Sequence, residues 1–274
     1  MRLRVLDIDS NSAHLQVVDV ASGAPPLPAH ALREPTVLGE EILPDGALSE
    51  PGMRRVANAV LRAIRAAHQC EVGYLYPFIT AAVRDAINRE KVLDRIEQVA
   101  GVRPRFLSGE QEARLTYLAA RRGYGWSAGR ILLLDIGGGS MEIALGRNVE
   151  AELALSLPLG AGRLTHAVLT ADPPTKGQLN DLRKHVRATL SEVADRFLWE
   201  GDPRRVVATS KTFKQLARLA GAPARRKGPF VPRVLTLQDV RTWIPKLAAL
   251  PLHAGQNFGA SRLHARGRSW QARW

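Results

Sequence analysis

Apolar and polar positions alternate through two short runs at the start of the chain. "LRVLDI" (3–8) and "AHLQVVDV" (13–20) are β-rich and parted by a polar turn, which predicts a hairpin. "GAPPLP" (23–28) predicts a loop. Over 49–69 the period changes. Val56, Val60, Leu61 and Ile64 recur at helical spacing, with Ser49 placed to cap and Pro51 suited to the first turn. "VGYLYPFIT" (72–80) predicts a strand. Helices are predicted over 90–100 and 110–121, with "RPRFL" (103–107) a strand between them. "RGYGWSAG" (122–129) is Gly-rich and predicts a hinge between domains.

The pattern then restarts. "RILLLDI" (130–136), "MEIALG" (141–146) and "EAELALSLPLG" (150–160) predict strands, the first two joined by "GGGS". A long helix is predicted over 175–198. A strand follows in "RRVVATS" (204–210), then a helix in "KTFKQLARLAG" (211–221) closed by Gly221. "TLQDVRTWIPKLAAL" (236–250) predicts a last helix, which Pro245 should kink or end. Each half opens strand–turn–strand and continues with strands and helices in alternation. The expectation is an α/β protein with an internal duplication.

Composition narrows the class. With 45% hydrophobic and 24% charged residues the chain can bury a core. No apolar run reaches the roughly 18 residues of a membrane span, and the N-terminus reads as a strand rather than a leader. Cys70 is the only cysteine, so neither an internal disulfide nor a Cys-based zinc cage can form. The seven His show no ligand spacing. A cytoplasmic location is the default expectation. The net charge of +13 and a pI near 10.7 favour a polyanionic partner: nucleic acid or a phosphate polymer. Trp126, Trp199 and Trp243 are expected in a core or interface rather than as a base-stacking platform.

The turns carry the candidate chemistry. A Gly-rich turn after a buried strand lets backbone N–H groups approach a phosphate, and hydroxyls add donors. Gly137, Gly138, Gly139 and Ser140 form such a cradle. Asp135 at the strand end suits Mg²⁺ or its waters, and the returning strand should bring Glu142 back beside it. "DIDSNSAHL" (7–15) repeats "DIGGGSMEI" (135–143) in outline, with Asp7, Ser10, Asn11 and Ser12 in matching places. The picture is a phosphate chain gripped between two domains.

These segments resemble the exopolyphosphatase and guanosine-pentaphosphate phosphatase family, which has a two-domain, actin-like (ribonuclease H-like) fold. "DIDSNSAHL" and "LLDIGGGSMEIALG" (133–146) resemble its two phosphate loops. "TAAVRDAIN" (80–88) and "LSGEQEARLTYLAA" (107–120) resemble two further segments. "LSLPLGAGRLT" (155–165) and "ATSKTFKQLARLAG" (208–221) resemble later ones. "YGWSAGRIL" (124–132) and the last two are most like the actinobacterial exopolyphosphatases. The resemblance runs from residue 1 to about 250. It implies a first domain over 1–124, a second over 125–250 and an atypical basic tail over 251–274.

What the resemblance implies is hydrolysis of the terminal phosphoanhydride of inorganic polyphosphate, dependent on Mg²⁺ or Mn²⁺. Glu112 stands at the catalytic-base position; Glu110, two residues away, points to another helix face. Arg84 would clamp a phosphate, unless it merely pairs with Asp85 or Glu90. Ser210 and Lys211 would form a third phosphate-facing loop. Asp7 should sit opposite Asp135 across the cleft, with Asp135 and Glu142 mattering more for the metal. Guanosine pentaphosphate is an alternative substrate. A weakened or non-catalytic binder of polyphosphate or nucleic acid is another reading, and a homodimer is allowed.

Two departures from the family pattern stand out. The first loop has Asp9 where the family has Gly. A glycine there would permit positive φ and close phosphate approach. Asp adds a charge that, at 4 Å from another, costs about 4 kcal/mol at an effective dielectric of 20. Residues 252–274, "LHAGQNFGASRLHARGRSWQARW", lack any Asp or Glu and any clear period. They read as out-of-frame translation that would leave the second domain incomplete, or else as a native basic tail.

Overall fold

The computed structural model describes residues 1–21, 28–68, 74–228 and 231–251. Cys70, most of the 23–28 loop and the 252–274 tail lie outside the described residues. Two mixed sheets form the frame. In the first half, β1 (Arg2–Ile8) and β2 (Ser12–Asp19) make the expected hairpin, with Asp7 opposite His14. Alternate β1 residues Leu6 and Ile8 are fully buried, which is the period-2 signature. β3 (Pro28–Pro35) adds an antiparallel edge, and β4 (Tyr74–Ile79) and β5 (Arg105–Phe106) add parallel strands, giving the order β3-β2-β1-β4-β5.

Helices α1 (Glu50–His68) and α3 (Arg89–Ala100) close one side, separated by the short α2 (Ala81–Arg84). Ser49 caps α1 by accepting from the Gly52 N–H at 3.1 Å. Val56, Val60, Ile64, Val92 and Ile96 pack on Leu6, Ile8 and Leu15. Helix α4 (Gly109–Tyr124) carries a capping box between Ser108 and Gln111. Its buried Ala113 and Tyr117 pack on Ile131, Leu133 and Ala144 of the second sheet. The helix that follows the first sheet thus covers the other one.

The second half repeats the plan. β6 (Ile131–Ile136), β7 (Met141–Gly146), β8 (Leu153–Leu157) and β9 (Arg205–Thr209) take the order β8-β7-β6-β9. The remaining helices are α5 (Ala161–Val168), α6 (Lys176–Trp199), α7 (Ser210–Leu219) and α8 (Leu237–Ala248). Superposing the orders matches β1, β2, β3 and β4 with β6, β7, β8 and β9. The duplication read in the sequence is therefore real in the topology.

Several expectations need correcting. Pro28 begins a strand rather than ending a loop. β3, α2 and α5 have no counterpart in the periodicity reading: β3 is largely exposed, α2 spans four residues, and α5 spans eight with Gly162 in its first turn. Pro245 does not end α8, which runs on to Ala248; it lies in the last turn, where few later bonds depend on it. Trp126 and Trp199 are not core residues. They are 71% and 90% exposed, the former beneath the Arg121 guanidinium at 5.4 Å.

Candidate active site

The two strand–turn–strand units meet face to face. In the first turn the Asp9 N–H donates to the Ser12 carbonyl at 3.0 Å; in the second the Gly137 N–H donates to the Ser140 carbonyl at 2.9 Å. Asp9 and Gly137 are thus equivalent positions. Neither adopts positive φ. The positive φ that a glycine would permit at position 9 is not used: aspartate fits without strain, and its charge is a difference from glycine that remains.

The glycines of the second turn serve close approach instead. A methyl group on Gly139 would lie 2.8 Å from Ala81 Cβ and 3.2 Å from Ser10 Oγ, and one on Gly138 would lie 2.9 Å from Asn11 Nδ2. From behind, α5 holds the loop. The Ala161 and Arg163 N–H groups donate to the Gly137 and Gly138 carbonyls at 2.9 and 3.0 Å, and Arg163 Nε donates to Gly139 O at 2.9 Å. In a trans peptide the carbonyl and the following N–H point oppositely. The N–H groups of residues 138–140 therefore turn away from α5, a geometry suited to an anion.

Five carboxylates gather around these turns. Asp135 and Glu142 are direct cross-strand partners on β6 and β7 and so share one sheet face. Thr209 donates to Asp135 at 2.6 Å, and Ser156 donates to the buried Glu142 at 2.8 Å. Burial is the main force pushing the carboxyls of Asp9, Asp135 and Glu142 above the usual range. Asp7 is pushed up to about 7 by burial and then by Asp9, with Arg33 opposing. Glu112 is pushed up to about 8: burial acts first, then Glu142, with Asp7 and Asp9 adding and Arg84 opposing.

Glu112 reaches this cluster from the first turn of α4. Arg84 Nη1 donates to it at 3.3 Å and to Leu107 O at 3.1 Å, while Arg84 Nε donates to Asp85 at 2.9 Å. Glu90 is instead bound to Arg103. Glu110 faces outward in an i,i+4 pair with Arg114, so the two glutamates do occupy different faces. A cavity of about 330 Å³ opens beside Arg84, Asp85, Gly109, Glu110, Ser140 and Ser156.

The hydroxyls complete the picture. Ser10 Oγ is buried between the loops with no hydrogen-bond partner. Ser210 is held at φ 79 at the head of α7, its buried hydroxyl beside Asp135 but outside hydrogen-bond geometry. Ser12 and Ser140 are buried and Asn11 is exposed. Lys211 is exposed on α7; the lysine whose charge acts on Asp135 is Lys214. Sequence reasoning gave no role to Lys214, Thr209, Ser156, Arg163 or Arg33. Arg163 and Ser156 lie in "LSLPLGAGRLT", a segment whose family resemblance is the one sequence signal that points to them.

Paired sheets of this order, each ending its first hairpin at a common polar cleft, define an actin-like protein. Comparison with known proteins gives the particular family. The model of the Ppx/GppA phosphatase family matches residues 17–260, and the chain belongs to that family. Exopolyphosphatase 1 of Mycobacterium tuberculosis is 46% identical over 244 residues, spanning 89% of this chain and 71% of that protein. The crystal structure of the Aquifex aeolicus Ppx/GppA family member aligns with a TM-score of 0.69 at 25% identity, over 92% of this chain and 80% of that one. An exopolyphosphatase structure from Cytophaga hutchinsonii shares the fold, with a TM-score of 0.78 at 21% identity over 92% and 81% of the two chains.

Proposed function

We propose that this protein hydrolyses the terminal phosphoanhydride bond of inorganic polyphosphate and releases orthophosphate. The observation that carries the reading is a carboxylate, Glu112, hydrogen-bonded to Arg84 and raised in proton affinity to about 8 by burial and by the acids of both opposed turns, one of which holds the buried, unpartnered Ser10 hydroxyl. Phosphate oxygens would satisfy Ser10 and the N–H groups of residues 138–140. Arg84 would neutralise charge on the transferred group. Glu112 would take the proton of the attacking water as its oxygen bonds to the terminal phosphorus and the bridging P–O bond breaks.

A divalent cation, Mg²⁺ or Mn²⁺, fits this donor set in one way. Among the described residues no group of three or more His, Cys, Asp or Glu side chains could hold a metal ion by itself. Mg²⁺ is commonly held by one or two carboxylates together with substrate phosphates. Asp135 and Glu142 supply that pair, with Asp7 across the cleft. The ion would supply charge neutralisation at the phosphates, and it would relieve the mutual repulsion of these acids.

The test is phosphate release from long-chain polyphosphate with Mg²⁺. Release is expected, and its absence from folded wild type would sink the reading. Because Glu112 acts deprotonated, kcat/KM is expected to climb with pH, half-maximal near about 8 and levelling off only above it. A rate profile that falls over the same range would exclude Glu112 as the base.

Asp9 places a charge where phosphate must sit, close enough to raise the proton affinities of Asp7 and Glu112. Asp9→Gly is expected to raise kcat/KM about tenfold, equivalent to about 1.4 kcal/mol. Steady-state rates on both forms check it, and an unchanged value would show that Asp9 turns from the substrate.

A further inference from the structure

One chain of contacts in the cleft links parts that the reaction above treats separately. Arg163, at the start of α5 in the second half, uses two edges of its guanidinium. Nε donates to Gly139 O at 2.9 Å, and Nη2 donates to Asp85 Oδ2 at 2.7 Å. Asp85 lies in the first half, directly after α2. Its other oxygen, Oδ1, accepts from Arg84 Nε at 2.9 Å. Arg84 Nη1 in turn donates to Glu112 at 3.3 Å. An unbroken line of hydrogen bonds thus runs from the second turn, across the cleft, to the Glu112 carboxylate.

Each link is directional. A guanidinium is a rigid planar fork, so fixing Nε against Asp85 fixes where Nη1 and Nη2 point. Arg84 Nη2 lies at the wall of the cavity beside Gly109. Asp85 can hold Arg84 in this orientation only while it is itself held, and its remaining oxygen is held by a residue of the other half. Arg163 makes that contact while seated on the Gly139 carbonyl. The position of the glycine loop and the position of Arg84 are therefore linked through one side chain. Among the described residues, the side-chain hydrogen bonds of Arg163 and Asp85 go to Gly139, to Arg84 and to each other, although Asp85 also borders the cavity.

We propose that Arg163 and Asp85 are positioning residues that couple the seating of the second phosphate loop to the orientation of Arg84, and through it of Glu112. This rests on the hydrolase reading of the site. The pair is more than a third exposed, at 39% and 35%, so its direct part in stability is small. Its effect should fall on the rate.

The experiment uses the full chain, long-chain polyphosphate and Mg²⁺. Arg163→Gln and Asp85→Asn are each expected to lower kcat about tenfold to a hundredfold, with KM within about threefold. The melting temperature should move by no more than about 2 °C. The double variant should lose no more than the worse single one, because both break the same line. Arg163→Lys should fail to rescue, since one ammonium cannot serve both the Gly139 carbonyl and Asp85 in the fork geometry. Unchanged kcat in both singles, while Arg84→Ala and Glu112→Gln are inactive, would overturn the coupling. So would losses that multiply in the double variant. Wild-type rates in Arg84→Ala and Glu112→Gln would instead overturn the reading of the site, and the coupling with it.

Discussion

Glu112→Gln is expected to lower phosphate release about 10²- to 10⁴-fold while raising the melting temperature. The two effects share one cause. Glu112 has an ordinary value of 4.5 and is pushed up to about 8 by burial and by Glu142, Asp7 and Asp9. The folded state therefore holds this proton more tightly than the unfolded chain does. That stabilising contribution is complete below pH 4.5 and is lost as the pH rises to about 8. At neutral pH and above, ionising Glu112 works against folding.

Glutamine keeps the size of the side chain and can still accept from Arg84, but it carries no charge and takes no proton. Relief of the repulsion is worth about 1–3 kcal/mol, or several degrees in a chain of this length. Calorimetry at pH 8 with phosphate-release rates on the same samples checks both parts. A variant that is inactive and also less stable would point to lost structure rather than a lost base.

Gly160→Ala is the second large effect, and its cause is steric. A methyl group there would lie 2.2 Å from the Gly139 carbonyl carbon, 2.4 Å from Ser140 N and 2.5 Å from Gly138 O. All three are backbone atoms, so no side chain can swing aside. Gly160 itself has φ −70 and ψ 144, which any residue adopts, so the change adds no backbone strain of its own. The glycine loop must instead move off α5, taking the N–H groups of residues 138–140 with it.

A shift of about 1 Å in a reacting geometry costs about a hundredfold. Loss of at least that much in kcat/KM is expected, with overpacking costing about 1–3 kcal/mol in stability. Gly177→Ala is the control. Its methyl would meet only Thr175 Oγ1 at 3.8 Å, so activity should hold and α6 should gain slightly. Equal losses in the two variants would show that the loop tolerates displacement.

Much of this protein can be read from its sequence, because periodicity and turn chemistry are local. The hairpin of β1 and β2, the matching pair β6 and β7, and helices α1, α3, α4 and α6 all follow from the spacing of apolar residues and their caps. The repeat of "DIDSNSAHL" in "DIGGGSMEI" announces two equivalent turns, and the congruent bonds from Asp9 to Ser12 and from Gly137 to Ser140 realise it. Even the cross-strand pairing of Asp135 with Glu142 follows from a four-residue turn between two strands of known direction.

What the sequence could not decide is what meets across the cleft. Asp9 reads as an added charge in the sequence, but only the fold says which charges it meets, since its neighbours Asp7 and Asp135 come from different strands. Glu110 and Glu112 are told apart by which face of α4 turns toward Arg84. Lys214, one turn into α7, acts on Asp135, which the spacing of the two lysines does not reveal. Arg163 is 78 residues from Asp85 and 24 from Gly139, and touches both. Sequence fixes elements through interactions within a few residues of one another. The chemistry of this cleft arises from burial and from charges brought together by the packing of two sheets, and only the folded chain sets those.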